Sequence, residues 1–323
     1  MTKKATEILN AIKAADSILI CGHIRPDGDC VGSSLAMYGI CKSLGKNVEV
    51  ACADGASPAT YVFLPNYDKL NALTKVKYDL FIAVDCANES RLGDMFKYVS
   101  TSKHSIKIDH HPSESNYCKM NYVEPSACST CAIIFELFED SGLIDRDIAM
   151  ALYTGLSTDT GHFMHSNTTP EVFGIAKKLS EYGFDIGAVN HDIYCSKTFN
   201  RIKLTARALE SIQLHYDGKI SLMVITQDDL ISCGCKTEDT EGLIDYAKSI
   251  AGVRVAISMC EQPGSVYRIS LRAVSADVSA AAARFGGGGH KLAAGCMING
   301  NRYDVMEKVI AAATAAINSE RAD

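Results

Sequence analysis

Ser17-Ile-Leu-Ile-Cys21-Gly-His23-Ile-Arg-Pro-Asp27-Gly-Asp29-Cys30 is the stretch on which the fold turns. A short apolar run gives way to a polar loop, and from Gly32 to Leu44 the apolar residues recur at helical spacing until Gly45 closes the pattern. Strand, loop and helix in that order open a βαβ unit. The loop then lies at the carboxyl end of its strand, where open α/β sheets hold their ligands. It carries His23, Asp27 and Asp29 at i, i+4 and i+6.

Working outward, two more apolar runs end in the same chemistry. Leu80 to Val84 delivers Asp85, and Ser105 to Ile108 delivers Asp109-His110-His111. Val48 to Cys52 reads as a further buried strand. Helical patterns cover Thr130 to Asp140, Asp147 to Leu156 and Pro170 to Tyr182, and Asp159 sits in Ser157-Thr-Asp-Thr-Gly161 just past the second of them. Strands interleaved with helices predict a largely parallel sheet covered on both faces, an α/β domain over residues 1–190. A polar stretch over 191–211 (Lys197, Arg201, Lys203, Arg207) reads as a connecting helix and hinge. Strand-like runs at Ile212–Tyr216, Lys219–Ile225, Val253–Cys260 and Val266–Leu271 follow, with a helical pattern around Glu241–Ile250 and a final one at Tyr303–Ile317. These predict a second, smaller α/β domain over 212–323.

Composition narrows the function classes. The 323 residues are 47% hydrophobic and 22% charged, enough apolar material for cores and too much for wholesale disorder. The formal net charge of −6 provides no basic track, so long nucleic acid is not an expected partner. No run approaches the roughly 18 apolar residues of a membrane span, and Met1-Thr2-Lys3-Lys4 does not open a signal peptide. Thirteen cysteines stand singly, without the spacing of a disulfide framework, which predicts reduced thiols and a cytoplasmic setting. Cys233-Gly-Cys235 has no second pair after it and reads as two loop thiols rather than a zinc site.

Each acidic segment has a plain reading when taken alone. Asp27-Gly-Asp29 could be a turn leading to a helix cap, Asp85 a turn residue, and His110-His111 a surface pair. Their joint occurrence at the ends of separate strands overturns that reading. Carboxylates so concentrated repel unless cations neutralise them. Oxygen-rich ligation with some imidazole suits Mn²⁺ or Mg²⁺. Five aspartates and two or three histidines exceed the needs of one ion. Two ions about 3.5–4 Å apart would use them all and activate water for phosphoryl hydrolysis. In the second domain, Gly286-Gly-Gly-Gly289 lets backbone amides converge on an anion, because glycine tolerates the close approach and positive φ required. Arg284 and His290 flank the run. Arg272 ends a strand upstream and can fork onto a phosphate, whereas Arg254 reads as a solvated strand residue.

His23-xxx-Asp27-x-Asp29, Asp85, Asp109-His110-His111 and Asp159, in this order and approximate spacing, resemble the signature of the DHH phosphoesterase superfamily. Gly286-Gly-Gly-Gly-His290 resembles the end of the DHH-associated substrate domain. Thr158-Asp-Thr-Gly161 with Ser166-Asn-Thr-Thr169, and Thr240-Glu-Gly-Leu-Ile-Asp245, resemble its nanoRNase branch. The resemblance covers nearly the whole chain. It implies a mainly parallel-sheet DHH domain plus the smaller α/β domain, with a cleft between them.

The resemblance also implies an activity and a site. The activity is hydrolysis of very short oligoribonucleotides to mononucleotides and of 3′-phosphoadenosine-5′-phosphate (pAp) to AMP. By the family pattern, His23, Asp27 and Asp85 hold one ion. Asp29, Asp85, His110 and Asp159 hold the other, with Asp85 as the bridge. Asp109 orients a histidine, and His111 faces the scissile phosphate or the attacking water. The ions are two divalent cations, Mn²⁺ first and Mg²⁺ second. Arg272, Arg284, Gly287, Gly288, Gly289 and His290 would contact a short RNA or small nucleotide substrate. His162 and His165 fall outside the pattern and read as polar surface residues. No membrane partner is implied, and a homodimer is one assembly open to the chain. The chief alternative is a cyclic-dinucleotide phosphodiesterase acting on cyclic di-AMP or its linear product. A pyrophosphatase, a processive single-strand exonuclease and a non-catalytic nucleotide sensor fit less well, since no ligand position is missing and the glycine run suits a nucleotide.

Overall fold

Five short apolar runs pair in parallel to form the first sheet of this computed structural model, which describes residues 2–112 and 115–319. The strands are β1 (Ser17–Gly22), β2 (Asn47–Cys52), β3 (Leu80–Val84), β4 (His104–Asp109) and β5 (Met120–Val123). Their order is β2-β1-β3-β4-β5, with every pair parallel. Such a sheet is buried on both faces, so β3 reads as an unbroken apolar run with all five residues buried. One face packs on the helices Lys3–Ala14, Gly28–Ser43, Thr130–Phe138 and Arg146–Asp159. The other is covered by residues around Leu92, Tyr98, Val99 and Cys118. β5 was not expected from the sequence. Its four residues are only half-buried, so they lack the apolar density that marks the other strands.

The strand order reverses between β1 and β3, the position beyond whose carboxyl ends open α/β sheets hold their ligands. The loops carrying His23 and Asp85 leave from those two strands. The helix after β1 starts at Gly28, four residues before the position its apolar pattern suggests. Asp27 is its N-cap and accepts from the Cys30 amide. Asp29 therefore sits in the first helical turn.

That helix lies unusually close to Arg146–Asp159. A Cβ on Gly32 would stand 2.5 Å from the Ala151 carbonyl oxygen, and one on Gly155 would stand 2.6 Å from Asp29 Oδ1. Glycine at these two places brings Asp29 and Asp159 to the same end of the helix pair.

The chain divides into two compact units, Met1–Ser196 and Lys197–Asp323. The stretch read as one connecting helix is several elements. Ile186–Asn190 runs into a π-type turn, His191–Cys195, and a new helix, Phe199–Glu210, begins behind the Thr198 cap. Leu204 and Ala208 of that helix are buried in a core of the second unit. The second unit's sheet contains β6 (Gln213–His215), β7 (Ile220–Ile225), β8 (Val255–Gln262), β9 (Val266–Ala273), β10 (Gly288–His290) and β11 (Ala293–Asn299). Its order is β10-β11-β9-β8-β7-β6, antiparallel except for β7 with β8. The last four residues assigned to the second domain lie outside the described ones. Among the described residues no helix is long and apolar enough to cross a membrane, and all thirteen cysteines are free thiols.

Two glycine substitutions should move stability in opposite directions. Gly32→Ala forces a methyl group against a backbone carbonyl and should cost about 1–3 kcal/mol net. Gly174→Ala lies in helix Pro170–Ser180 with nothing within 4 Å of its new methyl and should gain about 0.5–1 kcal/mol. Thermal unfolding of the two variants beside the parent protein checks both signs.

Candidate metal centre

Asp85 is the hub of the site. It follows β3 directly, is buried, and adopts a left-handed backbone (φ 55) that turns its carboxylate across the strand ends. Its amide is tied to the Ile108 carbonyl, and the Thr130 hydroxyl donates to Oδ1 at 3.0 Å. Three imidazoles surround it. His23 Nε2 is 3.4 Å from Oδ2, while His110 Nε2 and His111 Nδ1 are 3.7 and 3.6 Å from Oδ1. Burial alone would raise its pKa, but His23 first, then His111 and His110, pull it down to about 2.

His23 is itself buried, and its Nδ1 lies 2.7 Å from the Ile24 carbonyl oxygen. A carbonyl can only accept, so Nδ1 carries a proton. Burial lowers the His23 pKa but Asp85 outweighs it and raises it, so Nε2 also holds a proton toward Asp85 that a bound cation would displace. Asp27 Oδ2 stands 3.8 Å from that same Nε2, on the solvent side. Asp29 is fully buried and gripped by the start of helix Thr130–Phe138: the Thr130 amide donates to Oδ2 at 2.6 Å and the Cys131 amide to Oδ1 at 2.9 Å. Asp159 ends its helix with Oδ2 3.1 Å from His110 Nε2. Burial raises the proton affinity of Asp29 and Asp159 well above the carboxylate norm, and neighbouring carboxylates push both further up. Burial also lowers the pKa of His110, leaving its imidazole neutral and able to donate a lone pair.

Asp109 stands beside this set. Its Oδ1 accepts from His111 Nδ1 at 2.8 Å and from the His111 amide at 3.2 Å. Burial works against ionised Asp109, but the His111 ring and then Lys107 outweigh it and hold its pKa below normal. The pKa of His111 is raised, since the Asp109 contact outweighs its burial.

Among the described residues, three groups of donor atoms each lie within 4.8 Å of one another: His23, Cys30 and Asp85; Asp85, His110 and His111; and Asp29, His110 and Asp159. The structure thus brings His23, Asp29, Asp85, His110 and Asp159 together, with Asp27 at the rim beside His23. Carboxylate oxygens and neutral imidazoles suit Mn²⁺ or Mg²⁺. The raised proton affinity of Asp29 and Asp159 is the mark of anions crowded without a cation. The residues fit a divalent metal centre.

His162 and His165 stand apart from these donors. His162 packs edge-on against Tyr194, with ring centroids 4.4 Å apart, while His165 Nδ1 lies 3.4 Å from the Asp159 carbonyl. Three contributors escaped the sequence reading: the Thr130 and Cys131 amides, the Cys30 thiol, and Lys107. Ser129-Thr130 ahead of an apolar helical run is a cap signal that could have flagged the first.

In the second unit, His290, Ala293 and Arg272 are directly paired across β10, β11 and β9. Paired residues project to one face, so Arg272 and His290 flank the small Ala293 on a single row. The glycine run is a hairpin arm more than a free loop. Cβ atoms on Gly287 and Gly289 would stand 2.2 and 2.5 Å from carbonyl oxygens of Gly295 and Ala293. Gly288 extends the ladder, and Arg284 is exposed just before the run.

Residues 17–156 match the model of the DHH family N-terminal domain, and 223–319 match the DHHA1 domain. A probable bifunctional oligoribonuclease and PAP phosphatase NrnA of Streptococcus mutans is 32% identical over 304 residues, 93% of this chain and 94% of that protein. The chain belongs to the DHH family. The bifunctional oligoribonuclease and PAP phosphatase NrnA of Bacillus subtilis is 29% identical over 310 residues, covering 95% of this chain and 96% of that one. A solved structure, an exopolyphosphatase-related protein of Bacteroides fragilis, superposes with a TM-score of 0.89 at 26% identity over 97% of both chains. Manganese-bound RecJ of Thermus thermophilus shares the fold at a TM-score of 0.51 and 14% identity, over 96% of this chain and 54% of that one.

Mn²⁺ should stabilise the native protein, by about 2.7 kcal/mol at a hundredfold excess over its Kd. Because Asp29 and Asp159 hold protons above the normal range, the ion must displace them, and the stabilisation should shrink as pH falls. Asp85→Asn should abolish the Mn²⁺-dependent rise in Tm. Thermal unfolding with and without chelator over a pH series checks all three.

Proposed function

We propose that this chain is a metal-dependent phosphoesterase that hydrolyses very short oligoribonucleotides to mononucleotides and pAp to AMP. The observation carrying this is the convergence of His23, Asp29, Asp85, His110 and Asp159 at the sheet's switch point. It occurs in a chain that matches, over almost its whole length, relatives named for those two activities.

In this reading His23, Asp27 and Asp85 hold one divalent cation, and Asp29, Asp85, His110 and Asp159 hold a second, with Mn²⁺ preferred. When bound, such a pair lowers the pKa of water and neutralises charge building on a phosphoryl group. The chain's own residues supply the rest. The Nδ1–H of His23, held by Ile24, keeps Nε2 aimed at Asp85. The helix amides on Asp29 stop that carboxylate from swinging away. Asp109 fixes the His111 ring, whose other nitrogen would face the scissile phosphate or its leaving oxygen. In the second unit Arg272 and His290, on their common row, would receive a phosphate, with Arg284 and the Gly287–Gly289 amides beside them. The −6 net charge favours short substrates.

Chromatography of products after incubation with Mn²⁺ tests the assignment, using a 5′-phosphorylated diadenylate, pAp and cyclic di-AMP at matched concentrations. AMP should appear rapidly from the two linear substrates and slowly from the cyclic one. Preferential opening of cyclic di-AMP would replace the assignment with a signalling phosphodiesterase. That reading has a partial counterpart in a Listeria monocytogenes cyclic-di-AMP phosphodiesterase PdeA, 25% identical over 304 residues, 86% of this chain and 44% of that one. Arg272→Ala should raise KM about tenfold or more and leave kcat within about threefold, because the contact exists in ground and transition states alike. A fall confined to kcat would remove Arg272 from substrate binding.

A further inference from the structure

A lysine lies in the middle of β4, fully buried, two residues before Asp109. Ser105, Lys107 and Asp109 alternate with Ile106 and Ile108, so Lys107 and Asp109 point to the same face of the sheet. Both have zero exposed surface. The Lys107 Nζ lies 2.9 Å from the Ala87 carbonyl oxygen, 3.3 Å from the Ser115 carbonyl oxygen and 3.2 Å from Asp109 Oδ2, and 5.1 Å from the centre of the Tyr117 ring. Every one of these neighbours accepts and none offers a proton. Nζ donates to the two carbonyl oxygens and faces the Asp109 carboxylate at ion-pair distance without an aligned hydrogen bond.

Asp109 depends on it. Oδ1 is taken by His111, but Oδ2 has no aligned hydrogen-bond donor, and Lys107 is what faces it. A fully buried carboxylate with one oxygen uncompensated would be costly. We propose that Lys107 is the internal counter-ion of the site: it holds Asp109 as a fixed anion that anchors His111, and it takes Asp109 out of the charge that metal must neutralise. With Asp109 cancelled, Asp27, Asp29, Asp85 and Asp159 remain, and their four charges are those that two divalent cations carry. Lys107 touches neither substrate nor metal in this scheme; it is a positioning residue acting through Asp109. The proposal rests on the phosphoesterase reading of the site.

The test compares the full-length protein with Lys107→Met and Lys107→Met/Asp109→Asn. Methionine keeps an unbranched stem of similar length and removes the charge. Three quantities are measured: kcat and KM on pAp, Mn²⁺ affinity by calorimetry, and Tm in chelator. Lys107→Met should lower kcat at least about tenfold at unchanged KM, as expected when a positioned imidazole is lost. Mn²⁺ should bind it as tightly as the parent or more tightly, because a positive charge has left the neighbourhood of a cation site. The double variant, in which no stranded charge remains, should unfold at a higher temperature than Lys107→Met while kcat stays low.

Parental kcat in Lys107→Met would overturn the proposal. So would Mn²⁺ affinity falling in step with kcat, the sign of a scaffold role, or a double variant no more stable than the single one. If Lys107→Met fails to fold, the double variant decides: folded supports the proposal, unfolded overturns it. Failure of the parent to turn over pAp would sink the functional reading instead. The Mn²⁺ and unfolding comparisons would still judge Lys107.

Discussion

Carboxylates do not gather in a protein interior without something to hold them there, and the first unit is organised around that constraint. Asp85 is ionised because three imidazoles ring it, and Asp109 because His111 and Lys107 face it. Asp29, held by two backbone amides, and Asp159, against the neutral His110, carry raised proton affinity from burial and neighbouring carboxylates. The centre thus contains two kinds of acid. One kind is neutralised by the protein itself and gives the site its shape. The other is left short of positive charge and gives it an appetite for cations.

The fold meets this constraint through topology and close backbone approach. A parallel sheet sends each loop out at the same edge, so residues far apart in sequence arrive together without long side chains. The glycines between Gly28–Ser43 and Arg146–Asp159 let the two helices approach until Asp29 and Asp159 share a neighbourhood. In the second unit the same device serves a different end. Glycine in β10 permits tight pairing with β11 and sets His290 on the row of Arg272.

Much of this was legible in the sequence, for a physical reason. Parallel strands are buried on both faces, so their apolar runs stand out, and a polar residue at the end of such a run has nowhere to go but the sheet's edge. His23, Asp85 and Asp109-His110-His111 could be placed that way. Features made by long-range contact left weaker marks. β5 is short and half-buried. Asp27 doubles as a helix cap, which hid the true start of its helix. The stretch over 191–211 has one polar texture but two backbone states. The Thr130 and Cys131 amides that hold Asp29 belong to the backbone, which every residue shares, and only tertiary contact assigns them. Lys107 did leave a signal, a lysine inside an otherwise apolar strand, but its partner could be known only from the alternation of β4.

The hydrogen bonds that seat Asp29 join residues 101 and 102 positions apart in the chain, and Asp159 lies further along still. During synthesis, then, the ribosome has released the loop with His23, Asp27 and Asp29 long before the groups that complete it exist. An emerging chain presents scattered acids and imidazoles rather than a chelate, and each would bind a divalent ion weakly and let it go. Only when helix Arg146–Asp159 has docked does the whole set close together. In the proposed reading, metal capture by the full set would be deferred to the end of the first unit's folding, where an ion would act as a clasp on finished structure and not as a trap for an unfinished one.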